Sequence, residues 1–208
     1  MDNYAVAKKR AAQAFLGYSQ EQMTERFHLR RDAAFLYLRF LGREYRIDRK
    51  TGALAWSEDG FATAEEAGFL EAMSIYDMLC DAKPGARLSG HWCPVGSLPG
   101  VLHRTDGGLA MNGGGTAAEF AQREPLFRQA CAALGGRPAT LGDVGYRIPV
   151  FDFFPVILKL YRSDEDFPAQ LVLLWDENTL DFIRFETTYY IAGHLFSRLR
   201  ALMRRLDA

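Results

Sequence analysis

The chain is poor in cysteine, in net charge and in long apolar runs, and each shortage closes off a class of function. Cys80, Cys93 and Cys131 are odd in number and far apart, which fits neither a secreted disulfide framework nor a CxxC metal or iron–sulfur motif. A reducing cytoplasm is the expected home. Lys and Arg total 25 against 26 Asp and Glu, a formal charge of −1, so no overall field steers the chain toward nucleic acid or an anionic membrane. The longest strongly apolar stretch, Val150 to Leu158, is broken by Asp152 and Pro155 and is too short for a membrane-spanning helix. The opening MDNYAVAKKRAAQAFLGY lacks the hydrophobic core and cleavage site of a secretory signal and reads as mature protein. No G-x-S-x-G, H-E-x-x-H or G-x-G-x-x-G occurs, which removes the common hydrolase, zincin and dinucleotide signatures.

What is present is ordinary globular composition, 49% hydrophobic and 25% charged over 208 residues, so one domain spanning 1–208 with a large core is expected. Tyr4, Ala7, Ala11, Ala14, Phe15 and Tyr18 recur at helical spacing up to Gly17, and Ser19 with Gln22 forms a capping box for a second helix ending near Phe27. From Ala34 the runs FLYLRFLG, REYRID and ALAW, parted by glycine-containing turns, predict a three-stranded meander. Thr63 with Glu66 reads as a capping box for an apolar helix that stops before Pro84. Thr116 with Glu119 reads as another, for a helix interrupted at Pro125 and closed by Gly135 and Gly136. Val156 to Tyr161 and Gln170 to Trp175 form a hairpin, and Leu171–Trp175, apolar on both faces, should be a central strand. A last helix from about Leu180 to Leu206 carries Ile191, Leu195, Leu199, Leu202 and Leu206 on one face. The expected architecture is α+β, a mainly antiparallel sheet of about five strands with helices packed against it. Residues 85–115 hold nine of the nineteen glycines, a long irregular insertion and a candidate lid.

The segment GDVGYRIPVFDFFPVILKLYRSDEDFPAQLVLLWDENTLDFIRFETTYYIAGHL, Gly142 to Leu195, resembles the uncharacterised bacterial and archaeal family called domain of unknown function 3786. YLRFLGREYRIDRKTG (Tyr37 to Gly52) and DMLCDAKPGARLSGHWCPVGSLPG (Asp77 to Gly100) are similar to that family's other blocks. The resemblance implies one conserved intracellular domain, from a family found largely in anaerobes, and brings no reaction. Some members carry a further cysteine-rich iron–sulfur segment, and this chain has no such cluster.

Candidate chemistry falls in two places. In the insertion, His91 and Cys93 share parity on an extended segment and suit zinc or iron, while Arg87 and Ser89, at the same parity, suit an anion; packing and turn roles are the first reading of His91 and Cys93. On the last helix, Glu186, Tyr190 and His194 lie at i, i+4 and i+8, a set able to tune a general acid or base or to form a plain polar seam. Glu186 and His194 stand two turns, roughly 12 Å, apart and cannot share one metal unaided. Asp176, Glu177 and Asn178 leave a strand for a helix and are read first as caps. Asn112 to Thr116 leads glycines into a helix start, a weak phosphate cradle. The arginines near the C-terminus complement a helix dipole, and no nucleic-acid or membrane partner is expected. The resulting expectation is a binding or accessory protein for a small anionic or metal-containing ligand, with Arg87, Ser89, His91 and Cys93 facing Glu186, Tyr190 and His194. The alternative is an enzyme at the same cleft, with His194 or Glu186 as acid–base and Asp176 as orienter.

Overall fold

A computed structural model describes residues 3–101 and 114–207. Helices α1 (Asn3–Phe15) and α2 (Gln20–Phe27) open the chain, followed by strands β1 (Arg30–Arg31), β2 (Phe35–Phe40), β3 (Arg43–Asp48), β4 (Leu54–Ser57) and β5 (Glu65–Glu66). Helix α3 (Phe69–Asp81), strand β6 (Trp92–Pro94), helices α4 (Gly114–Gln122) and α5 (Glu124–Ala133) and strand β7 (Arg137–Pro138) come next. Strands β8 (Val144–Phe151), β9 (Phe154–Tyr161) and β10 (Gln170–Asp176) and helices α6 (Thr179–Phe182) and α7 (Phe185–Leu206) complete it. The fold is α+β with one antiparallel sheet of ten strands in the order β5-β4-β3-β2-β8-β9-β10-β6, β1 pairing with β2 and β7 with β8. Helix α7 lies between α3 and α5, α1 packs on α3, and α4 rests on β9 and β10.

The sheet is two half-sheets joined at a narrow seam. Strands β2 and β8 share one register pair, Phe40 with Phe151, backed by the Leu41 amide donating to the Val150 carbonyl at 2.8 Å. Beyond it β1 and β7 take over the free edges of β2 and β8. The β2–β3 turn at the seam is Leu41–Gly42, both at positive φ (44° and 78°), the combination a tight hairpin twist requires. The β3–β4 turn uses Asp48, whose Oδ1 accepts the Lys50 and Thr51 amides at 2.8 Å, and Gly52 at φ +73°. A Cβ on Gly52 would lie 2.4 Å from the Ala12 carbonyl of α1, against backbone that cannot yield. Gly52→Ala is therefore expected to lower stability by at least about 2 kcal/mol in urea unfolding.

The meander, the 154–176 hairpin, the Ser19 cap and the opening helices stand where the sequence placed them, with the Gln22 amide 3.3 Å from Ser19 Oγ. Other expectations are corrected. Glu65 and Glu66 are a strand on β4, and Thr63 bonds Asp59 (Oγ1 to Oδ2, 2.6 Å); α3 begins at Phe69, with the Glu71 carboxylate accepting the Gly68 amide. Thr116 lies inside α4, because Arg200 of α7 takes both side chains of that expected box, donating to Thr116 Oγ1 and to Glu119 at 2.8 Å. The sheet has ten strands rather than about five, since two- and three-residue strands leave no alternation to read and β8 is masked by Gly145 and Pro149. Strand β10 is next to the edge; β9 is the central strand buried along nearly its whole length. The closing helix is broken at Arg184, which is extended (φ −72°, ψ 160°) and pairs with Asp81 at 2.7 Å. Residues 85–101 are not an irregular insertion: they contain β6 and a 3-10 turn, Val95–Ser97, with Val95 and Leu98 in the core. The rest of the expected lid, with Asn112 and Gly113 of the phosphate cradle, falls at 102–113, outside the described residues, while Gly114–Thr116 belong to α4.

Candidate functional site

The eight candidate residues fall into separate neighbourhoods. Strand β6 lies antiparallel on β10, Cys93 opposite Trp175, which brings Arg87, Ser89, His91 and Cys93 to the end of β10. There Asp176, wholly buried, accepts from the Ser89 amide (3.0 Å), Ser89 Oγ (3.2 Å), the Gly90 amide (2.8 Å) and the Asn178 amide (2.9 Å). It clamps a loop to a strand instead of capping a helix, and Asn178 Nδ2 reaches back to the Arg87 carbonyl at 3.0 Å. His91 is exposed, its Nδ1 3.2 Å from Glu177 Oε1, and burial together with Glu177 and Asp176 pushes the Cys93 thiol up. Among the described residues no three His, Cys, Asp or Glu side chains are grouped as a metal would need.

The helical trio disperses as well. Glu186 is exposed on the first turn of α7, Tyr190 stands edge-on to Phe69 at 5.5 Å, and Thr187 donates to buried Asp77 at 2.6 Å. His194 alone is buried with polar company, stacked on Phe40 of β2 at 5.4 Å with Nε2 3.4 Å from Glu71 Oε1 but in no hydrogen bond. Burial holds its pKa down at about 4, with Arg198 and Arg43 adding to the effect against Glu71, so the ring is neutral at pH 7. The same Glu71 oxygen accepts from Tyr45 Oη at 2.6 Å and lies 3.6 Å from Arg43 Nη1.

Arg43 and Arg198 carry this buried cluster out to a hollow of about 390 Å³ beside α7, also lined by Arg39, Glu58, Leu202 and Arg205. Glu58 gathers three guanidinium groups, Arg43 Nε at 3.2 Å, Arg205 Nη1 at 2.9 Å and Arg198 Nη1 at 3.7 Å. Although burial acts to raise it, hydrogen bonds from Arg43 and Arg205 leave the Glu58 pKa lowered. The Arg43 guanidinium carbon stands 3.5 Å from the centre of the Trp56 ring, a cation–π contact that helps to hold it in place. Arg198 is only 7% exposed, makes no side-chain hydrogen bond among the described residues, and its Nε is buried without a partner. Burial lowers its pKa from the ordinary arginine value.

The sequence reading missed Arg43, Tyr45, Glu71 and Arg198. One signal was legible: His194 and Arg198, four apart, sit one step from Ile191 and Leu195, inside the margin of the apolar stripe, where a solvated face should not reach.

The family model described as a domain of unknown function (DUF3786) matches residues 19–198, most of the chain, and the chain belongs to that family. No curated protein and no solved structure matches. Among the described residues, no helix is long and apolar enough to cross a membrane.

Proposed function

We propose that this member of the family is a binding protein for a small organic anion, held by Arg198, Arg43 and Arg205 in the hollow beside α7. The observation that carries the reading is Arg198. A buried guanidinium with no hydrogen bond costs several kcal/mol, and a carboxylate or phosphate entering the hollow supplies the missing acceptors in bidentate geometry. Glu58, beneath the three arginines, marks where anionic oxygens sit favourably. The site keeps the closing helix as one wall, as the sequence suggested, and takes β3 and β4 in place of residues 85–101 as the other. An acid–base enzyme using His194 and Glu186 has less support, because one side chain is buried behind Glu71 and the other faces solvent.

The test is a thermal-shift and calorimetric titration with citrate and succinate. An anion at a hundred times its Kd adds about 2.7 kcal/mol to the folded state, a rise in Tm of about 5–10 °C. Arg198→Met is expected to abolish that shift while leaving the unliganded Tm equal to or above that of the parent, since it replaces a buried charge that makes no hydrogen bond with a side chain of similar volume, and Glu58 keeps Arg43 and Arg205. A shift that survives Arg198→Met refutes the assignment.

A further inference from the structure

A second hollow, of about 320 Å³, opens at the seam between the half-sheets and shares Arg39 and Gly42 with the first. Its walls carry Arg39 from β2, Arg137 from β7 and Arg147 from β8. Arg137 and Arg147 are register partners, directly opposite on neighbouring strands, so their Cα atoms stand about 4.5–5.5 Å apart. Like charges in that relation destabilise a sheet unless something neutralises them. Among the described residues none of the three arginines makes a hydrogen bond or ion pair, although Arg43, Arg162, Arg184 and Arg200 do. Asp152 belongs to the same lining and forms no ion pair with them. Three unneutralised guanidinium groups from three strands, on a floor of Leu134, Pro149 and Pro155, suit a compact multivalent anion better than a planar carboxylate, which two forks already satisfy.

We propose that the seam hollow bounded by Arg39, Arg137 and Arg147 binds a phosphate group. The site stands independently of Arg198. Where both readings hold, a ligand with two anionic ends fills both hollows with Arg39 between them, and this extension rests on the function proposed above.

Titration of the full chain with inorganic phosphate, read by calorimetry, tests it. Arg147→Gln and Arg137→Gln are each expected to weaken binding at least tenfold, while Arg198→Met changes it less than twofold. All three arginines of the hollow are exposed, so the variants fold; their Tm should equal or exceed that of the parent as the repulsion is relieved. Absence of phosphate binding, or an affinity unchanged in both glutamine variants, overturns the site. Loss of binding in Arg198→Met alone also overturns it, placing the phosphate in the first hollow and sparing the earlier reading. Loss in the glutamine variants with Arg198→Met silent toward every anion supports the seam site and removes the earlier one.

Discussion

Asp176→Ala is expected to lower stability by about 3–4 kcal/mol, a Tm drop on the order of 10 °C, measured by urea and thermal unfolding. The carboxylate is wholly buried and is the common acceptor for four donors from two segments that are far apart in sequence. Removing it takes from the Ser89, Gly90 and Asn178 amides the acceptor they share. The damage should also be local. Hydrogen exchange at residues 89–94 is expected to quicken more than exchange at 154–161, because the first set is held through Asp176 and the second by the centre of the sheet. Asp176→Asn keeps the shape but turns amide hydrogens toward donors, so it should lose most of the same stability. Wild-type stability in Asp176→Ala would show that the clamp is redundant.

The second large effect concerns acid. His194 faces Glu71 of α3, Arg43 and Tyr45 of β3, and Arg198 one turn along α7, with Phe40 against its ring. Its folded pKa, about 4, lies below the ordinary value of 6.5, so between these values the unfolded chain binds a proton that the folded chain refuses. Stability contributed by neutral His194 is therefore complete above pH 6.5 and is lost as pH falls toward 4. The loss between pH 7 and 4.5 should be about 2 kcal/mol. His194→Phe, which preserves a ring on Phe40, should flatten the urea midpoint over that window. Asp59, held at about 2, titrates below the window, and buried Asp77, which burial raises, is present in both proteins and cancels in the comparison. A wild-type slope retained in His194→Phe would assign the acid sensitivity elsewhere.

Much of the architecture was legible because it rests on local pattern. Alternation in Phe35–Phe40 and Arg43–Asp48, the Ser19 cap and the apolar face of α7 are decided within a few residues of chain. The helix start near Phe69 was misjudged for a related reason. Thr63–Glu66 has the usual side chains of a capping box, whereas the true box has glycine at its first position and reveals itself only through Glu71. The candidate site was harder to read because its arginines obey the rules for solvated positions. Arg39 and Arg147 fall on the outward alternation of β2 and β8, and Arg198, although it borders the apolar stripe, doubles as a cation near a helix C-terminus. Only the seam between the half-sheets, a long-range contact through Phe40 and Phe151, draws Arg39 toward Arg137 and Arg147. Asp176 behaves likewise: its place after a strand and before a helix suggests a cap, and its real partners lie 86 and 87 residues away.

Both borders of the sheet end in stubs: Glu65–Glu66 on one side, two adjacent carboxylates, and Trp92–Pro94 on the other, three residues closing on a proline with no amide to offer. A foreign strand approaching either flank meets repulsion or a missing donor, the usual safeguards against fibril-like stacking. The second safeguard is held through Asp176. When that carboxylate is lost, Leu171–Trp175 is left as an apolar ribbon with an open backbone ladder, and self-association joins unfolding as a route by which the protein leaves solution.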